Sequence, residues 1–139
     1  MEECIFCKIV KGDIPSYKVY EDERTMAFLD INPISIGHTL VIPKSHVSKI
    51  SELSDEDLLA FARTLQKITK AVESSVKLDG LNIFINQGKE AGQLIPHFHC
   101  HVTPRHKGDD VKIEVPAQRL KEEEFVEAMD RIKEAIASR

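Results

Sequence analysis

His97-Phe98-His99-Cys100-His101-Val102-Thr103 decides how this 139-residue chain is read. Three histidines alternate strictly with apolar or soft residues. Successive side chains of a β-strand point to opposite faces, so His97, His99 and His101 share one face. Phe98, Cys100 and Val102 then turn the other way, into a core. A helix would scatter the same rings around its cylinder. Half of the six histidines lie in these five positions, and a tag-like cluster would sit at a terminus without such alternation. Two chemical readings stay open at this point. One is a zinc ion held by three histidines, which as a catalytic centre usually needs a carboxylate base nearby. No Asp or Glu lies between Glu90 and Asp109. The other is a nucleophilic histidine flanked by helper rings.

The length fits one domain spanning residues 1–139, large enough for a proper core without disulfides. Hydrophobic content of 42% and charged content of 30% are ordinary for a soluble globular protein. A net charge of −4 argues against a general binder of nucleic acid or anionic membrane, which would carry a basic face. A mononucleotide pocket is still allowed, because it needs only local donors. The chain opens Met-Glu-Glu-Cys, without a basic segment or long apolar run, so neither a secretory leader nor a membrane span is expected. Three cysteines, two of them in Cys4-x-x-Cys7, suit a reducing compartment better than a disulfide framework. The expected location is the cytoplasm.

Working outward, Lys18–Glu21, Thr25–Leu29 and His38–Ile42 read as three strands with tight connections, the last stopped by Pro43. Cys4–Val10 is a short apolar stretch ending in a Lys11–Pro15 turn. Ser54 is a good N-cap for a long helix, with Asp57 three residues on and a Leu53/Leu58 staple. Leu58, Ala62, Leu65, Thr69, Val72 and Val76 form its expected buried stripe, and Gly80 its left-handed terminus. Leu81–Asn86 reads as a fourth strand and Phe98–Thr103 as a fifth, ended by Pro104. Phe125, Met129, Ile132 and Ile136 mark a second amphipathic helix over about residues 119–138. The expected architecture is α+β: a mostly antiparallel five-stranded sheet, a long central helix and a C-terminal helix.

Two further constellations carry chemistry. Structural zinc wants four soft or borderline ligands, and Cys4 and Cys7 together with His46 and His97 offer two thiolates and two imidazoles. The alternative is that both cysteines are small buried hydrophobes. The loop from Asn86 to Gln93 offers amides, and its glycines let backbone N–H groups approach an anion. It runs straight into the histidine strand. Asp30 is suited to accept the two hydroxyls of a vicinal diol. Phe6, Ile9, Phe28 and Ile31 are candidates to wall an apolar slot for a base.

The histidine stretch matches the His-φ-His-φ-His-φ-φ signature of the histidine triad (HIT) family. The resemblance runs from Cys4 to Arg105 and takes in Phe28-Leu29-Asp30-Ile31-Asn32-Pro33, the stretch from Gly37 through His46, and Asn86-Gln87-Gly88. Only the C-terminal helix lies outside it. The chain looks like the Hint-like branch that carries Cys-x-x-Cys near the N-terminus, with a HIT-like fold.

The resemblance implies nucleotidyl transfer at an α-phosphate, with AMP-linked phosphoramidates or mixed anhydrides as substrates. By position, His99 is the nucleophile that becomes a nucleotidyl-histidine. His101 donates to a non-bridging phosphate oxygen, His97 orients His99, and His38 lies beside the row. An imidazole agrees chemically, being largely neutral and nucleophilic near pH 7 and a good leaving group afterwards. The carry-over places Asp30 on the ribose of a purine nucleotide such as AMP. Phe6, Ile9, Phe28, Leu29 and Ile31 surround the base, and Asn86, Gly92 and Gln93 lie near the phosphate. In zinc-bearing relatives the ligands correspond to Cys4, Cys7, His46 and His97, which makes Zn2+ structural and leaves His97 a single free nitrogen. Relatives are homodimers. Alternatives within reach are a dinucleoside polyphosphate hydrolase and a nucleotide-binding module with little turnover. Two positions depart from the pattern. Relatives commonly carry Ser or Thr after the Gly-Gln pair where this chain has Leu94, and Pro96 before the triad is unusual. Both bear on the leaving group.

Overall fold

A computed structural model describes residues 3–139. The elements in chain order are α1 (Ile5–Lys11), β1 (Lys18–Glu21), β2 (Thr25–Leu29), β3 (Thr39–Pro43), α2 (Asp55–Ser75), β4 (Gly80–Phe84), β5 (Cys100–Arg105) and α3 (Glu122–Ala137). The five strands form one antiparallel sheet in the order β1-β2-β3-β5-β4. This is the α+β architecture that the hydropathy pattern predicts, with its long helix, C-terminal helix and five strands in place.

The central strands of the sheet are buried on both faces. On one, Ala27, Val41, Cys100 and Val102 pack with Phe98 against Phe61, Ile68 and Val72 of α2. On the other, Met26, Phe28, Leu40 and Ile42 pack against Cys4 and Phe6 of the α1 segment. β3 is accordingly buried at all five positions, apolar from Leu40 to Pro43, with the Thr39 hydroxyl satisfied by the Gly37 carbonyl.

Four local expectations need correction. Cys4–Val10 contains a helix: the Cys4 thiol caps it by accepting from the Cys7 N–H, and Gly12 closes it at φ 85°. A seven-residue helix carries too little periodicity to announce itself. In α2 the buried residues are Phe61, Thr64, Ile68 and Val72, with Leu65 only partly buried and Leu58 and Ala62 exposed. Phe61 sets that register by meeting Phe98 at 5.0 Å, and Thr64 is buried because its hydroxyl pairs with that of Thr25 at 2.7 Å. Hydropathy alone misses a satisfied threonine. Helix α2 ends at Ser75, with Val76 as its cap, and Gly80 instead opens β4. Finally, β5 runs through Pro104 to Arg105, and only His101 of the triad lies within it. Proline is tolerated there because β3 pairs with β5 only at residues 100–102, so past Val102 one edge of β5 is free of ladder bonds.

The Ser54 cap is as expected, its hydroxyl accepting from the Asp57 N–H at 3.1 Å. Helix α3 has the predicted stripe, yet none of its residues is buried.

Candidate active site and metal centre

Although His97 and His99 precede β5, the alternation holds in space. Phe98, Cys100 and Val102 belong to the core under α2, while the three imidazoles face the α1 side. There His99 and His101 border a cavity of about 430 Å³, while His97 is fully buried. His99 and His101 lie beside His38, which immediately precedes β3, and the rings of His99 and His101 are 5.1 Å apart.

Backbone groups fix the proton on each ring. The Ile34 N–H donates to His38 Nδ1 at 3.0 Å, so a neutral His38 carries its proton on Nε2. That N–H points at His101 Nδ1, 2.9 Å away, which must accept; His101 therefore bears its own proton on Nε2. His99 Nδ1 lies 2.7 Å from the carbonyl oxygen of His97, which can only accept, so Nδ1 holds the proton and Nε2 keeps its lone pair. His97 Nε2 donates to the Pro43 carbonyl at 2.8 Å, leaving Nδ1 as its lone-pair nitrogen. One free acceptor nitrogen thus stands next to one free donor N–H.

The surroundings keep these rings uncharged. Burial lowers the pKa of His38, His97 and His99, and burial with the neighbouring His99 and His38 takes His101 down to about 4. A neutral imidazole with a free lone pair is a nucleophile near pH 7. The adjacent donor can stabilise charge building on a phosphoryl oxygen.

Of the residues expected around a nucleotide, Phe6, Ile9, Phe28, Leu29, Asp30, Ile31, Asn86, Gly92, His99 and His101 all line this cavity. Asp30 keeps one oxygen on the Asn32 N–H and the other 3.6 Å from His38 Nε2. Gly92 sits at φ 95° with Asn86 Nδ2 3.4 Å from where a Cβ would stand, so only glycine closes the loop without strain. Gln93 does not line the cavity. Its amide accepts from the Gly88 N–H at 2.8 Å and donates to the Ser48 carbonyl at 3.1 Å, tying the loop to the body of the domain. Sequence reasoning missed Phe84, which stacks on His101 at 4.4 Å and 11°. Alternation with Asn86 puts Phe84 on the same strand face, but its place opposite His101 follows only from the β4–β5 register.

On the far side of His97 lies a second cluster. Cys4 Sγ, Cys7 Sγ, His46 Nδ1 and His97 Nδ1 all fall within 4.8 Å of one another. The Cys4–His97, Cys7–His46 and Cys7–His97 separations are 3.4, 3.3 and 3.6 Å. A tetrahedral ion with bonds of about 2.3 Å to sulfur and about 2.0 Å to nitrogen gives S···N edges of about 3.5 Å. The donor set and its edges therefore fit such an ion, and the Pro43 carbonyl supplies the outer hydrogen bond that orients a ligating imidazole. The two sites share a wall. Phe6, between the two cysteines in sequence, meets His97 edge-on at 5.8 Å and His99 at 5.1 Å.

Comparison with known proteins agrees with this geometry. A model of the HIT domain matches residues 11–108. Protein hit of Bacillus subtilis is 50% identical over 109 residues, covering 78% of this chain and 75% of that protein. The adenosine 5'-monophosphoramidase of Schizosaccharomyces pombe is 47% identical over 102 residues, 73% of this chain and 74% of its own. Among solved structures, a Zn-bound histidine triad family protein from Mycobacterium smegmatis superposes with a TM-score of 0.74 at 38% identity, covering 96% of this chain and 98% of that one.

Proposed function

This chain belongs to the HIT family, and on that premise we propose that it is a nucleotide hydrolase or transferase working through a nucleotidyl-histidine on His99. In this reading it acts on AMP-linked phosphoramidates or mixed anhydrides. The observation that carries the proposal is the His99–His97 carbonyl bond, which holds the Nε2 lone pair in the cavity beside the His101 Nε2–H. His99 Nε2 forms a bond to the α-phosphorus as the bond from phosphorus to the leaving group breaks, the electron pair departing with that group. His101 donates to a non-bridging oxygen. His97 orients the nucleophile through its main-chain carbonyl, which relieves the ring of two competing duties. Water then attacks phosphorus and releases His99 and a nucleoside monophosphate.

Asp30 takes the ribose hydroxyls in this scheme, Phe6, Ile9, Phe28, Leu29 and Ile31 surround the base, and Asn86 and Gly92 face the phosphate. Gln93 serves by holding the loop. Cys4, Cys7, His46 and His97 would hold a structural Zn2+, which when bound fixes the His97 ring and the α1 segment. We read residues 4–105 as the HIT unit with α3 appended, the protein as cytoplasmic, and the Hint-like branch as its place in the family. The unpaired edge of β4, with Ile83 46% exposed, and the uncovered stripe on α3 support a homodimer.

The test is to quench turnover of adenosine 5'-phosphoramidate with denaturant at alkaline pH, where a P–N bond to histidine survives, and map adducts by mass spectrometry. An adenylyl group on His99 is expected. His99→Ala should lose the adduct and all turnover while still binding AMP in calorimetry. Full turnover by that variant would remove His99 as nucleophile.

A further inference from the structure

His101 is held from two directions by side chains of different kinds. At its edge, the His38 Nε2–H donates to Nδ1 across 2.9 Å. Against its face lies the ring of Phe84, the centroids 4.4 Å apart and the planes 11° from parallel. Among the described residues every other aromatic pair crosses at 49° or more, so this flat contact stands alone. It arises in β4, where Leu81 packs on the α2-side core while Phe84 and, beyond the strand, Asn86 border the cavity. The β4–β5 register then sets Phe84 opposite His101.

Resting on the nucleotidyl-histidine reading, we propose that Phe84 is a positioning residue: its face sets the plane of the His101 ring and so aims Nε2–H at one of the two non-bridging oxygens of the α-phosphate. The hydrogen bond from His38 decides which nitrogen carries the proton, but it does not decide the tilt of the ring. The χ2 torsion of a histidine is broad, and a hydrogen bond at Nδ1 tolerates misalignment of about 30°. A tilt of that size carries Nε2–H, on the far side of the ring, outside the roughly 10–20° within which a catalytic donor must be held. His99 and His38 meet the ring at 63° and 49°, and neither offers a face to lie flat against. Phe84 does, and the imidazole cannot rock without opening that contact. The two non-bridging oxygens lie in different directions from a fixed N–H, so a donor whose plane is locked serves one of them. Phe84 itself neither donates nor accepts; its part is to hold the group that does.

The test uses the two diastereomers of adenosine 5'-thiophosphoramidate, in which sulfur, a poor acceptor, replaces one non-bridging oxygen or the other. The ratio of their kcat values cancels intrinsic reactivity and reports the fixed groups around phosphorus. Its change on substitution at Phe84 isolates the donor that Phe84 holds. The wild type should favour one diastereomer by about tenfold or more, and Phe84→Leu, which stays apolar but loses the flat face, should bring the ratio to within about threefold of one. On adenosine 5'-phosphoramidate the same variant should lose about tenfold in kcat, less than the roughly 100-fold or more for deleting such a donor outright, with KM changed by no more than about threefold. Phe84→Tyr keeps the flat face and should restore both the ratio and kcat. Phe84 is only partly buried, and Phe84→Met takes the place of Phe84→Leu should that variant melt early. Nearly equal diastereomers in the wild type, a ratio that survives Phe84→Leu, or a change confined to KM overturns the inference. NMR relaxation of the His101 ring in the free protein supplies a readout that needs no turnover: rigid in the wild type and Phe84→Tyr, mobile in Phe84→Leu. A ring equally rigid in all three overturns the inference as well. If no conjugate yields AMP and no adduct forms on His99, the hydrolase reading fails, while ring relaxation still judges the role of Phe84.

Discussion

His38 donates its Nε2–H to Nδ1 of His101 across 2.9 Å, and the main chain dictates the direction, because the Ile34 N–H already occupies His38 Nδ1. The consequence falls on the far side of His101, whose proton is driven to Nε2, facing the cavity. Removing His38 frees His101 to carry its proton on either nitrogen. His38→Ala should therefore lower kcat by about 10–100-fold with little change in KM. His38→Gln, whose amide N–H reaches in a similar direction, should recover a large part. Steady-state kinetics on adenosine 5'-phosphoramidate checks this. A purely packing role would instead lower the melting temperature without rescue by glutamine.

The Cys4/Cys7/His46/His97 cluster makes a separable prediction. Metal analysis should find one zinc per chain. Chelation, or Cys7→Ser, should lower the melting temperature by roughly 5 °C or more, since metal binding adds directly to folding free energy. AMP affinity should fall too, by about tenfold, because Phe6 lies between the two cysteines and forms the wall against His99. Retained affinity after complete metal loss, measured by calorimetry, would show that α1 holds its place unaided.

The sheet and the site were legible to different depths. Alternation through Phe98, Cys100 and Val102 located the core face, and the strand bounds fell within a few residues, because period-two patterning survives where each face is buried. The triad was legible as a shared face even though His97 and His99 precede the strand. Helix α1 was not, being too short to show a period, and its cap is a thiol. The Leu/Val stripe of α2 predicts a different register from the one that buries Thr64, whose burial depends on a partner, Thr25, 39 residues away. Phe84 on His101 depends likewise on the β4–β5 register. Ring tautomers lie beyond any sequence, since they follow from the carbonyls of His97 and Pro43 and the amide of Ile34.

Stability should fall with acidity in a defined window. The pKa of His101 drops from an ordinary 6.5 to about 4, by burial first and then by the nearby His99 and His38, with Asp30 acting the other way. An unfolded His101 binds its proton near pH 6.5 while the folded one refuses it until about pH 4. The contribution is therefore complete above pH 6.5 and is lost as pH falls toward 4. For this group it amounts to about 3 kcal/mol at most, and His38 shifts in the same direction. Urea unfolding from pH 7.5 to 4.5 should show the decline, and His101→Gln should flatten it. An equal decline in that variant would assign the effect elsewhere.

Helix α3 supplies the last expectation. Phe125, Met129, Ile132 and Ile136 recur at four- and three-residue steps, and each is between 46% and 67% exposed. A 16-residue helix with no buried residue is marginal in water by itself, since isolated helices of this length gain little beyond their nucleation cost. In the proposed homodimer a second copy of the chain covers α3 and the open edge of β4. The wild type should sediment as a dimer with a melting temperature that rises with concentration. Met129→Lys with Ile132→Lys should weaken the dimer by at least about 100-fold, two buried apolar side chains being worth roughly 3 kcal/mol or more. The helical circular dichroism signal should fall with it, because the same contact orders the helix. A monomeric wild type with α3 fully helical would separate the order of α3 from assembly.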